Sequence, residues 1–177
     1  SDLAAPLHEG YENSALDKVP VVLDAPLTVE GKEYRVSCVS MGNPHVITYV
    51  DDEKAVDIEK IGPLFESHPV FPERTNTEFI RIADRKNIYM RVWERGTGET
   101  LACGTGACAS AVATMLNGLC DRKVTVHLLG GDLFIEWDEK DNGVYMTGPA
   151  VTVFTVDYPL INLLSVSYTH LRAHETC

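Results

Sequence analysis

Cys103 stands in the run Ala102-Cys103-Gly104-Thr105-Gly106-Ala107, immediately before a stretch of small and apolar residues at helical spacing. A thiol at the mouth of a helix meets unpaired backbone N–H groups and the positive end of the helix dipole, both of which favour an anion. This placement predicts a Cys103 thiol of lowered pKa, available as base or nucleophile. Gly104 and Gly106 keep side chains away from those amides, so a carboxylate or phosphate can dock on the N–H groups of Gly104 and Thr105. The plainer alternative is a small buried residue in a tight turn.

Two further clusters place polar side chains at turns. In Met41-Gly42-Asn43-Pro44-His45, Asn43 offers an amide that donates and accepts, and His45 can tune or relay a proton. Taken alone, a Gly-Asn-Pro turn followed by a histidine is the simpler account. Pro72-Glu73-Arg74-Thr75-Asn76 puts Asn76 just ahead of an apolar strand, as an amide contact or an ordinary first strand residue. Neither glycine pair completes a nucleotide motif. Gly96-Thr97-Gly98 lacks the third glycine of a dinucleotide fingerprint, and Gly104-Thr105-Gly106 lacks the Gly-Lys-Ser/Thr of a P-loop. His170 and His174 lie four apart and read as a chance pair rather than a metal site, so no metal is expected.

The elements that must hold these residues are mainly strands. Pro20–Leu23 and Leu27–Val29 precede a Gly31-Lys32 turn into Tyr34–Ser40, and Val46–Val50 follows. Thr77–Ala83 alternates Phe79, Ile80 and Ile82 with charged residues, and Ile88–Trp93 puts Ile88, Met90 and Val92 on one face by period two. Lys123–Leu129, Leu133–Trp137, Val144–Thr147 and Val151–Val156 complete the strand-like runs. Two helices interrupt them. Asp57–Ser67 gathers Ile58, Ile61, Leu64 and Phe65 on one side, with Pro63 limiting its regularity. Thr105–Leu116 carries a two-wide stripe of Ala107, Cys108, Ala111, Val112, Met115 and Leu116. Its many alanines predict a central helix enclosed by strands.

Composition narrows the function classes. The 177 residues hold 15 Lys plus Arg against 26 Asp plus Glu, a formal charge of −11, which excludes the basic face of a nucleic-acid binder. With 45% hydrophobic and 23% charged residues the chain reads as globular, and no apolar run is long enough to span a membrane. The first dozen residues show no secretory pattern. Five cysteines match neither a disulfide framework nor a zinc ribbon, and reduced thiols in the cytoplasm are expected.

Joined in order and spacing, Met41–His45, Phe71–Asn76, Glu94–Thr100, Ala102–Ala107 and Tyr145–Val151 resemble the diaminopimelate epimerase family. The match runs from about Pro20 to Asp157. The resemblance implies an α/β (α+β) domain, a mainly antiparallel sheet wrapped around a central helix. It implies a cofactor-independent epimerase, without pyridoxal phosphate, interconverting LL- and meso-diaminopimelate in lysine and peptidoglycan synthesis. One cysteine thiolate removes the α-proton and an opposed thiol returns a proton to the other face. Matched motif by motif, Cys103 is the cysteine of the C-terminal half. Asn43, Asn76, Glu94, Arg95, Gly104 and Thr105 fall on substrate-contact positions, and His45 and Glu94 on positions that adjust the cysteines.

The family's other cysteine, in a Gly-Asn-Gly-containing motif, has no counterpart here. The expected organisation is therefore a remnant lead-in at 1–19, a C-terminal epimerase-like domain at 20–157, and a disordered or non-native tail at 158–177. Such a chain alone is expected to be nearly inactive. The family often forms homodimers; no nucleic-acid or membrane partner is expected. The alternatives are a non-catalytic half-domain, a relative of the proline racemase group, or a thiol hydrolase using His45 as base.

Overall fold

The computed structural model describes residues 22–152 and 154–156. The lead-in at 1–19, the tail at 158–177 and the His170/His174 pair lie outside the described residues. Strand β1 (Val22–Val29) turns through Glu30-Gly31, both at positive φ, into β2 (Lys32–Ser40), with Val29 paired to Lys32 across the two-residue loop. The two apolar runs expected before Gly31 form one strand, because a bulge at Asp24, itself at positive φ, absorbs the break between them. The corner Met41–Asn43 leads to β3 (Pro44–Tyr49), antiparallel to β2.

Helix α1 (Ile58–Glu66) then carries the chain over to β4 (Asn76–Asp84), which lies parallel to β3. A hairpin gives β5 (Asn87–Glu94), and the short β6 (Gly98–Thr100) folds back on its end. Helix α2 (Gly104–Leu116) makes the second crossover, to β7 (Lys123–Leu128) parallel to β5. Strands β8 (Gly131–Trp137) and β9 (Val144–Thr147) finish an antiparallel meander. The sheet order is β1-β2-β3-β4-β5-β7-β8-β9, with β6 beside β5. Both parallel seams are bridged by a helix, since parallel neighbours need a long crossover. Among the described residues the fold is thus a mixed α/β arrangement of one large, mainly antiparallel sheet and two α-helices.

The helices cover opposite sides of the central strands. Val46 and Phe79 point to α1, where Phe65 meets the rings of Tyr34 and Phe79 edge-on. Their neighbours Ile47 and Ile80 point the other way, into the core around α2. α1 continues through Pro63 and stops within a turn, Ser67 donating to the Pro63 carbonyl. α2 ends in a Schellman turn, with Gly118 at positive φ donating to Met115 and Leu119 donating to Thr114.

Two expectations are corrected. α2 is not a striped helix: every residue except Thr105 and Cys108 is buried, because the sheet curls around it and buries Ala109, Ser110, Ala113 and Thr114 as well. Val151–Val156 forms no strand among its described residues. Val151 is 80% and Phe154 78% exposed, with no neighbouring strand to share hydrogen bonds.

Candidate functional site

The helix start is built as the sequence predicts. Cys103 is the N-cap of α2, in extended conformation, and its Sγ accepts the Gly106 N–H at 3.4 Å and lies 3.6 Å from Thr105 Oγ1. The N–H groups of Gly104 and Thr105 therefore stand at the mouth with no intrahelical carbonyl to meet them. Gly106 is required for closeness: a methyl there would lie 3.2 Å from Cys103 Sγ and 2.7 Å from Glu78 Oε1.

The expected lowering of the thiol pKa is reversed. Cys103 is only 3% exposed, and burial pushes its thiol up to about 11, against the Thr105 hydroxyl and Gly106 amide that favour the thiolate. The negative charges of Glu94 and Glu78 push the same way as burial. Loss of water outweighs two donors. Cys38 and Cys120 are likewise raised by burial, to about 11 and about 12, and the four described cysteines are free thiols.

The corner of Met41–His45 comes to this helix start. Asn43 Nδ2 faces Thr105 Oγ1 at 3.4 Å, and Asn43 Oδ1 accepts from His45 Nε2 at 3.1 Å. His45 is buried, and its Nδ1 meets Glu78 Oε1 at 2.6 Å. Both ring nitrogens are thus engaged away from Cys103 Sγ, so the Cys–His pair that a thiol hydrolase needs is not formed.

Asn76 opens β4 and knits backbone together: its Nδ2 donates to Pro44 O at 2.9 Å and its Oδ1 accepts the Arg95 N–H at 2.8 Å. Glu94 ends β5 and accepts from the Thr100 hydroxyl. Arg95 is exposed, with Nη1 donating to Glu73 O at 2.9 Å. Gly96 and Gly98 take positive φ, which lets the chain reverse beside them.

Two open grooves flank the cluster. One of about 650 Å³ starts at Gly104 and Thr105 and runs past Cys108 to Leu133 and Met146. The other, about 560 Å³, passes His45 and Phe71 toward Trp137. They share Met41 and Val144 in their walls, and Asn43, Glu94 and Arg95 line neither. Among the described residues no group of three or more His, Cys, Asp or Glu is placed to hold a metal ion.

Sequence reasoning missed two carboxylates. Glu78, one of the charged residues of its strand and not singled out as a candidate, is fully buried on the α2 side. The signal was its spacing: Asn76, Glu78 and Ile80 share one strand face. Glu66, the last residue of α1, accepts from Trp93 Nε1 at 2.7 Å and from the Gly96 N–H at 3.0 Å, and so holds the turn after Glu94.

Residues 37–153 match the family model described as diaminopimelate epimerase. The diaminopimelate epimerase of Acetivibrio thermocellus is 59% identical over 138 residues, which is 78% of this chain and 49% of that protein. That of Nostoc punctiforme is 62% identical over 134 residues, 76% of this chain and 48% of the relative. The chain therefore spans about half the length of these curated relatives. Among solved structures, a Bacillus anthracis phenazine biosynthesis protein of the PhzF family is 22% identical, with 64% of this chain and 38% of that chain covered and a TM-score of 0.45. With the matched region running from β2 past β9 and through each of the clusters at the α2 start, the chain belongs to the diaminopimelate epimerase family.

Proposed function

We propose that this chain supplies the Cys103 half of a cofactor-independent epimerase that interconverts LL- and meso-diaminopimelate, for lysine and peptidoglycan synthesis. The observation that carries the reading is the helix start: a thiol, two open amides and the Asn43–Thr105 contact meet at one point. Residues 20–157 act as one domain in this reading.

Removing an α-proton from an amino acid without pyridoxal phosphate leaves a carbanion with no electron sink. Its charge must be met by preorganised donors in a dry site. The Gly104 and Thr105 amides bind the α-carboxylate, where charge grows as the proton leaves. Glu94 holds the α-ammonium, Arg95 pairs with the distal carboxylate, and Asn43 and Asn76 complete the contacts. His45 and Glu94 adjust the proton affinity of the sulfur. A thiol held near 11 is mostly protonated at neutral pH, which suits Cys103 to deliver a proton and leaves removal to its small thiolate fraction, so exchange by this half alone is slow.

The 177 residues carry no second cysteine in a Gly-Asn-Gly motif. One sulfur serves one face of the α-carbon, so this polypeptide alone is expected to turn over little substrate. The reading places the protein in the cytoplasm, in keeping with its free thiols, and as a homodimer without nucleic-acid or membrane partners. Deuterium exchange at the α-carbon of diaminopimelate, followed by proton NMR, tests it. Slow exchange that disappears in Cys103→Ala is expected; exchange indifferent to that substitution overturns the assignment.

A further inference from the structure

We propose that Glu78 is a positioning residue for His45, holding the imidazole with its proton on Nε2 toward Asn43 and so ordering the helix-start site. The inference rests on the epimerase reading, in which His45 adjusts proton transfer.

The placement follows from register. In the parallel seam His45 pairs with Asn76 and Ile47 with Glu78, so His45 and Glu78 are diagonal neighbours on the α2 side of the sheet. Their side chains are wholly buried and 2.6 Å apart. Beyond the ring, Asn43 turns its amide nitrogen toward Thr105 Oγ1 and its oxygen toward His45 Nε2. An oxygen facing Nε2 requires the hydrogen there. One further proton then lies between Nδ1 and Glu78 Oε1, whether carried by the carboxyl or by the ring.

Without a carboxyl at 78 the Nδ1 position is free to take the ring proton. Nε2 would then present a lone pair to Asn43 Oδ1, the amide would turn over, and its contact with Thr105 would be lost. The same carboxyl touches the other side of the site. A methyl on Gly106 would fall 2.7 Å from Glu78 Oε1 and 3.2 Å from Cys103 Sγ, so acid, helix start and thiol close on one point. Oε2 of Glu78 is buried with no hydrogen-bond partner among the described residues, which a carboxyl kept only for packing does not explain. The titratable groups facing Glu78 are His45 from β3, Glu94 from β5 and Cys103 at the α2 start. Burial pushes the Glu78 carboxyl up to about 7, so the shared proton is retained to near neutrality.

The test compares this chain with Glu78→Gln and Glu78→Leu. Long-range 1H–15N correlation spectra report the His45 tautomer from pH 5 to 8, and thermal melts report folding. Nε2–H is expected in the parent. It should persist in Glu78→Gln, whose amide can donate to Nδ1, and give way to a mixture in Glu78→Leu. Cys103-dependent deuterium exchange should fall about tenfold in kcat/KM in Glu78→Leu, with a shifted pH profile, and be largely rescued in Glu78→Gln. A parent ring protonated on Nδ1, or a Glu78→Leu protein with the parent's tautomer and pH profile, overturns the proposal. If Glu78→Leu does not fold, the parent and Glu78→Gln spectra still decide it. Absence of exchange in the parent counts against the epimerase reading and leaves the tautomer result standing.

Discussion

The carboxylate of Glu66 and the backbone N–H of Gly96 are joined at 3.0 Å across thirty residues of chain, linking the end of α1 to the turn that follows Glu94 and Arg95. The same carboxylate receives Trp93 Nε1. Glu66→Ala strands both donors in a half-buried place. It should cost about 2–3 kcal/mol in urea denaturation. A loss below about 0.5 kcal/mol, the range of ordinary surface substitutions, would show the turn to be held by other means.

Alkylation reads the state of the sulfur at the α2 start. With burial holding the Cys103 thiol near 11, iodoacetamide should label it slowly at pH 7. Its rate should climb about tenfold per pH unit between pH 8 and 10, followed by peptide mapping. Labelling at pH 7 as fast as an unfolded peptide thiol would mean that the helix terminus, not burial, governs the sulfur.

Gly106→Ala probes the closest packing in the site. The added methyl meets Glu78 Oε1 at 2.7 Å and Cys103 Sγ at 3.2 Å, so these buried side chains must give way. Destabilisation of about 1–3 kcal/mol is expected from thermal melts. The His45 ring signals should move as well. A protein as stable as the parent would contradict this contact.

Stability should also depend on pH through Glu78. Its carboxyl is raised from 4.5 to about 7 in the folded chain, mainly by burial and despite His45. Between those values the folded state holds more protons than the unfolded one, so this group's contribution falls as pH rises through the window. Relative to Glu78→Gln, the parent should therefore be more stable at pH 5 than at pH 8. Melting temperatures of both proteins at the two pH values measure the difference; an equal difference at both would refute it.

Much of the architecture was legible because period and punctuation agree. Ile88, Met90 and Val92 alternate along β5, and Asn117-Gly118 closes α2 in the turn that glycine permits. The clusters of Asn43, His45 and Cys103 could be named from local chemistry. That they meet depends on long-range register, which no short window contains. Glu78 was not singled out because a charge in an alternating strand does not announce burial, whereas this sheet is covered on both faces. The thiol was misjudged for a related reason: the helix start is visible in the residues, and the dryness around it is not. Gly98–Thr100 is too short and too glycine-rich to announce itself as a strand.

The curled sheet leaves α2 almost walled in, with Thr105 its one exposed residue and Cys108 half-covered. Side-on approach to most of the rod is therefore closed by strands, and visitors bearing negative charge must arrive end-on, like a plug entering a socket. Variation along the buried shaft is confined to residues no bulkier than those present. Tuning of what the socket admits falls instead to its rim, where Asn43 and Thr105 face one another.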